Sequence, residues 1–270
     1  MNIITKAFVF CVASLPLGPT EAAADALTFE TYRDEVLATG PDIYWRLGET
    51  STAEPADNLG SLGSAADGEY GSTTALGIPP ALPSTPNTAA GFSTGATTAF
   101  VRTSNFAFPQ SSFSTEFWIN APAAGTLTGI VSYNAPGDEN AFLVFNTHNL
   151  AVFLNTPIST GIDVFHDTWH HIVITWDEST GSLNVYDNAI DGVADFSTTG
   201  FQTGNIPAQF GDLVLGQEQD GTGASGTYSF SSDQALEGQL DEFSFYSFVL
   251  TPEQVAAHFE AGLNNVFVQV

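Results

Sequence analysis

From Phe113 onward the chain is a succession of short runs in which apolar and polar residues alternate. In "FSTEFWIN", Phe113, Thr115, Phe117 and Ile119 alternate with Ser114, Glu116, Trp118 and Asn120. That period of two belongs to a strand with one face packed on a core. The runs "GIVSY", "AFLVFN", "LAVFLN", "WHHIVITW", "SLNVY", "DLVLGQ" and "DEFSFYSF" repeat the theme, separated by turns such as "APGDEN" and "DESTG". Many short strands without intervening helical periods predict an all-β chain, an antiparallel β-sandwich of jelly-roll type with short peripheral helices. Two helices are predicted. In "TFETYRDEVLATGP", Tyr32 and Val36 share a face, Gly40 closes the helix and Pro41 prevents continuation. In "TPEQVAAHFEAG", Thr251 is the N-cap, Pro252 the first helical residue, Gln254 the partner in a capping box and Gly262 the stop. Val255 and Phe259 are expected against the sandwich, and "LNNVFVQV" as a last strand.

The stretch from Thr50 to Thr98 is rich in Gly, Ala, Ser, Thr and Pro and reads as loops joining short strands. Leu62, Tyr70 and Leu76 keep it within the same unit, so a single domain spanning residues 25–270 is expected. The segment before it has the form of a signal peptide: Lys6, the apolar "AFVFCVASLPLG", and Ala22 to Ala24 as cleavage site. Pro16, Gly18 and Pro19 interrupt it well short of the ~20 residues a membrane-spanning helix needs. Residues 1–24 are therefore predicted to be removed on bacterial export, giving a secreted, extracellular chain with no membrane insertion. Cleavage takes away Lys6 and Cys11, leaves Arg33, Arg46 and Arg102 as the permanent cations, and rules out a disulfide. Four Lys+Arg against thirty Asp+Glu, a formal charge of −26, exclude nucleic acid as a partner, because phosphate binding needs basic side chains. With 43% hydrophobic residues the chain has material for a core and is not an acidic tail.

Against that charge, "LGQEQDGTGASG" (Leu215 to Gly226) places Glu218 and Asp220 one residue apart in a glycine-rich turn. Mutual repulsion there is relieved by a bound cation, and the turn glycines admit close backbone approach. The ordered set "YWRLGE", "FSTEFWI", "WHHIVITWDESTGSLNVY" and "GQLDEFSFYSFVLTPEQV" resembles the bacterial laminin-G-like members of the concanavalin A-like lectin and glucanase superfamily. "LGQEQD", "FSSDQALEG" and "SYNAPGDENAFLVF" are similar to the pentraxins. The resemblance implies a concanavalin A-like jelly roll and a double calcium site. Glu139 falls where that family has Asp, and Asn140 matches its Asn; Glu218, the backbone carbonyl of Gln219, and Asp220 match the shared ligands. Gln234 matches a ligand of the second ion. The acidic partner expected beside it is Ser231 here, with Asp233 the nearest substitute. All are oxygen donors of the kind Ca2+ takes. The family's disulfide cysteines correspond to Glu116 and Val173. In pentraxins the ions contact the ligand, which implies a glycan or a phosphorylated surface molecule as partner; no oligomeric state follows.

Two other readings compete with calcium-dependent binding. In one the protein is a structural or adhesive component in which calcium only stiffens loops. In the other it is a glycoside hydrolase, which in the retaining mode needs two carboxyl groups ~5–5.5 Å apart. "EGQLDEF" is the best local candidate, with Glu237 and Asp241 expected on one face and Glu242 on the other; the similar family patterns carry no catalysis there, and a non-enzyme is predicted. His170 and His171 are expected to point to opposite sides of a strand, with no zinc partners at a suitable sequence spacing.

Overall fold

The computed structural model describes residues 28–122, 127–202, 210–221 and 227–269. The predicted signal peptide and the turn glycines Gly223 and Gly226 lie outside them. Among the described residues no helix is long and apolar enough to cross a membrane. The chain runs β1 (Thr28–Glu30), α1 (Thr31–Thr39), β2 (Ile43–Trp45), β3 (Glu69–Tyr70), β4 (Ala75–Ile78), β5 (Ala89–Phe92), β6 (Val101–Ala107), β7 (Ser112–Asn120), β8 (Gly129–Ala135), β9 (Asp138–Phe145), β10 (Ala151–Leu154), β11 (Thr156–Ser159), β12 (Trp169–Asp177), β13 (Ser182–Asp187), β14 (Phe196–Thr198), β15 (Phe210–Leu215), β16 (Gly238–Tyr246), α2 (Pro252–Leu263) and β17 (Phe267–Gln269).

Seven strands form one sheet in the order β11-β10-β9-β8-β15-β6-β3, and a second runs β14-β13-β12-β7-β16-β5-β4, with β2 also on β16. The pairing is antiparallel, and β1 and β17 form a separate ribbon joining the described ends. Alternate residues of both sheets meet in one core, including Phe113, Phe117, Phe142, Trp176 and Phe245. This is the predicted antiparallel sandwich, since apolar faces of period two are buried when two sheets stack.

One face departs from that expectation. Strands β7 and β12 are buried on both sides, because α1 and α2 cover the outer face of the second sheet. Tyr32, Val36, Trp118 and Phe259 form one apolar cluster there, and Val173, Tyr246, Leu250 and Val255 another. The run "HHIVITW" thus reads as a doubly covered strand. His170 and His171 are both buried rather than one exposed. Glu116 and Val173 sit directly opposite in the β7–β12 register, and at this cross-strand pair Glu116 is enclosed under α2.

Local signals place the helices. Gly40 closes α1 at φ 83°, and the Thr251–Gln254 capping box opens α2. Gly262, expected as the stop, instead lies inside α2, which continues to Leu263. A Cβ there would come within 2.5 Å of Trp118 Cζ2, so this glycine serves the packing of helix on sheet. A register shift between Asp241 and Ser244, with Glu242 at φ 52°, corrects another reading. The bulge turns Glu242 to the same side as Asp241, and Asn87 Nδ2 reaches both carboxylates at 3.2 and 3.1 Å.

Candidate metal centre

The β8–β9 hairpin and the loop after β15 meet on the first sheet. Asn134, at the end of β8, ties them together: its Nδ2 donates to the carbonyls of Gln219 and Gly221 at 2.6 and 2.9 Å, and its Oδ1 accepts from Asn140 N–H. Gln219 Nε2 donates to the Ser132 and Asp212 carbonyls, and Ser132 Oγ donates to the Gln217 carbonyl. Gly129 lets the loop lie flat on β8, since a Cβ there would come within 2.4 Å of Glu218 N. Asn140 and Gly221 adopt positive φ, 57° and 111°, where the chain turns toward the cluster.

The result is a convergence of Glu139, Glu218 and Asp220, with one oxygen of each within 4.8 Å of the others. Two oxygens on one Ca2+ at ~2.3–2.6 Å lie at most ~5 Å apart, so this spacing is that of ligands around a single such ion. Glu218 is buried, Asp220 half-buried and Glu139 exposed. Burial, followed by the charges of Asp220 and Glu139, pushes the Glu218 carboxyl up to about 7, and a hydrogen bond from the Gln234 side chain offsets part of this. Two buried oxygens here, Asn140 Oδ1 and Glu218 Oε2, have no hydrogen-bond partner. Such orphans are rare in native structures and point to a missing cationic or donor partner. The donor set is all oxygen, which fits a hard cation.

The other sequence-predicted residues are distributed as follows. The Gln219 carbonyl already accepts from Asn134, leaving its second lone pair. Gln234 is beside Glu218, and its own carbonyl accepts from Gly129 N–H at 2.7 Å. Asp233 is exposed and accepts the Ser231 hydroxyl at 2.8 Å, outside the carboxylate cluster. Asn134 escaped sequence reading: an Asn at a strand end carries no local sign that it bonds a loop 85 residues away.

The hydrolase candidates do not assemble. Glu237 accepts the Thr94 hydroxyl at the surface, while Asp241 and Glu242 are fully buried. Glu242 is held by Arg46 and Tyr44, and Asp241 accepts from Ala81 N–H at 2.8 Å. Burial, followed by the Glu242 charge, raises the Asp241 carboxyl well above its usual range. A carboxyl pair without a path to substrate is part of the core.

Two stacked antiparallel sheets with a polar cluster on surface loops place the chain in the lectin-like class of sandwich folds. Residues 94–256 match the family described as the concanavalin A-like lectin/glucanases superfamily, and the chain belongs to it. Its relatives include pentraxins. It is 34% identical over 119 residues to C-reactive protein 1.1 of Limulus polyphemus, covering 44% of this chain and 45% of that protein. It is 30% identical over 146 residues to human neuronal pentraxin-1, covering 53% and 32%. It is 32% identical over 142 residues to the rat sushi, von Willebrand factor type A, EGF and pentraxin domain-containing protein 1, covering 52% and 4%. The chain thus spans less than half the length of these relatives. Among solved structures, the binding domain of Paraclostridial Mosquitocidal Protein 1 aligns with TM-score 0.59 at 14% identity, over 83% of this chain and 52% of that one. The botulinum neurotoxin serotype G binding domain aligns with TM-score 0.58 at 13% identity, over 82% and 51%. These two likenesses concern the fold.

Proposed function

We propose that this chain is an exported, calcium-dependent binding module, with Glu139, Asn140, Glu218, the Gln219 carbonyl and Asp220 as the ligands of one Ca2+ and Gln234 beside it. Asp233 joins a second ion only if its side chain leaves Ser231. The observation that carries the reading is the pair of orphaned buried oxygens, Asn140 Oδ1 and Glu218 Oε2, beside three converging carboxylates. A bound divalent cation satisfies both oxygens and reverses the repulsion.

The partial exposure of Asp220 and the exposure of Glu139 favour recognition over a purely stiffening role. An ion reachable from solvent keeps coordination positions for vicinal hydroxyls or a phosphate oxygen, and the ligand class is therefore glycan or phosphorylated surface molecule. The pentraxin relatives support this reading, as does the burial of the carboxyl pair a hydrolase would need. A calorimetric calcium titration of the purified protein against the Glu218→Gln, Asp220→Asn double variant tests it. Saturable binding in the parent protein, lost in the variant, is expected, followed by calcium-dependent signals on a glycan array. No saturable binding at millimolar calcium sinks the proposal.

A further inference from the structure

The cover over the second sheet ends between two neighbouring cross-strand rows. Asp241, Trp118 and His171 form one row and are buried, with Trp118 packed on Tyr32 and Phe259 of the helices and Asp241 accepting from Ala81 N–H. Two residues along each strand lies the next row: Gly91, Gln239, Asn120 and Trp169, with Ala75 of the edge strand β4 opposite Gly91. Their chain neighbours Phe92, Leu240 and Ile119 belong to the core, so alternation turns this row to the outer face. Here Gln239, Asn120 and Trp169 are only half-buried and Ala75 is exposed.

This row borders an open cavity of about 270 Å3. Gly91 supplies part of its floor: a Cβ there would come within 2.3 Å of Ile78 Cδ1, so the glycine lets Ile78 lie across it as an apolar wall. Pro122 and Ala75 add apolar surface, while Asn120, Gln239 and Glu237 supply polar groups. The Glu237 carboxylate is oriented by the Thr94 hydroxyl, which donates to Oε2 at 2.6 Å. Among the described residues the side-chain amides of Asn120 and Gln239, directly opposite in register, have no hydrogen-bond partner. The amides of Asn87, Asn134, Gln217 and Gln219 each donate at least twice within the protein. The Asn120–Gln239 pair is thus set apart by position, with its donors and acceptors turned to the cavity rather than to the fold.

Each amide offers one carbonyl acceptor and two N–H donors, a set that matches adjacent hydroxyls, which donate and accept in turn. Glu237 adds an acceptor for a further hydroxyl, and the Ile78 and Pro122 side give a surface for C–H groups. Apolar walls with a few placed polar groups are the ordinary make-up of a small-ligand site. No arginine lines this cavity and its one charged lining residue is acidic, which disfavours phosphate, sulfate or carboxylate. We propose that the cavity binds a neutral sugar unit through Asn120, Gln239 and Glu237, without a metal ion. It lies on the other sheet from the Glu218 cluster and stands independently of the calcium reading.

The test is an array of neutral gluco-, manno-, galacto- and xylo-oligosaccharides probed with the purified protein in excess EDTA, followed by calorimetry with the strongest binder. Saturable binding in EDTA is expected. Affinity should fall at least ~5-fold in Asn120→Ala and in Gln239→Ala, about one hydrogen bond each. It should be lost in Ala75→Trp, which fills the cavity from the exposed edge strand. Neither amide holds another residue of the protein, so the two alanine variants should keep the parent's melting temperature, and circular dichroism checks the fold of all three. The proposal is overturned by absence of saturable binding to any of these sugars, by binding indifferent to all three substitutions, or by binding that disappears in EDTA, which would return the sugar to the Glu218 cluster.

Discussion

Two acidic centres, one on each sheet, solve the burial of carboxylates in opposite ways. On the second sheet, fully buried Glu116 accepts from Tyr246 at 2.5 Å and faces His258 Nδ1 at 2.9 Å and His171 Nε2 at 3.3 Å. Burial works to raise its carboxyl, but the two histidines hold it far below the usual range. In turn Glu116 outweighs burial and raises His258 above its ordinary value. On the first sheet, Glu218 has Asp220 and Glu139 as its charged neighbours and is pushed up instead. The chain's arginines are engaged elsewhere, with ion pairs to Glu30, Asp34, Glu242 and Glu69. A carboxylate that carries its own counter-charge is stabilised from within, while one assembled without it stays under repulsion unless a proton or a cation relieves it.

The comparison breaks most decisively at Glu116. Glu116→Ala leaves two histidines and a tyrosine buried without their acceptor and should cost ~3–5 kcal/mol, measured by denaturant unfolding. A cost near zero would mean that the cluster is hydrated. Gly262→Ala probes the same cluster through its cover: a Cβ 2.5 Å from Trp118 Cζ2 pushes α2, and with it His258, off the sheet. Overpacking of this kind costs ~1–3 kcal/mol, and the calcium affinity proposed for the other sheet should not change.

The pH dependence sharpens the contrast. Glu116 contributes stability above its unfolded value of 4.5 and loses it as pH falls toward the depressed folded value. His258 contributes fully below 6.5 and loses its part as pH rises through the raised folded value. The pair is therefore strongest between about pH 4.5 and 6.5. Glu218 acts with the opposite sign for an acid: its raised value costs stability as pH climbs from 4.5 to about 7. Calcium-free melts should fall from pH 5 to pH 8, and Glu218→Gln should remove the part of that fall below pH 7. The smallest expected effect completes the set. Without calcium, Glu218→Gln should leave the melting temperature level or slightly higher, because repulsion is relieved, while abolishing any rise on adding calcium. A clear loss of calcium-free stability would show that Glu218 has a structural role like that of Glu116.

Local signals were read correctly where local chemistry decides. The Thr251–Gln254 capping box, the Gly40 closure and the strand at β7 each depend on residues within a turn or a strand, whereas the second cover over β7 comes from the helices. Gly262 was misread as a stop because its reason is Trp118 across the helix–sheet contact. The direction of Glu242 was misread because alternation fails at a bulge. Glu218 and Asp220 were singled out by their repulsion in a glycine-rich turn, and Glu139 by a family pattern. Asn134, which positions the loop, was not, since it leaves no mark in local spacing.

Sequence alone determined a sandwich of short strands, two capped helices, a large excess of acid and, once the predicted signal segment is gone, no cysteine to cross-link it. Tertiary structure decided which acids meet a counter-charge. Glu116 finds His258 142 residues away, and Asn134 draws Gln219 in from 85. A charge is stabilised or stranded by groups within a few ångströms of it, and in an antiparallel sandwich those groups come from strands and loops far apart in the chain.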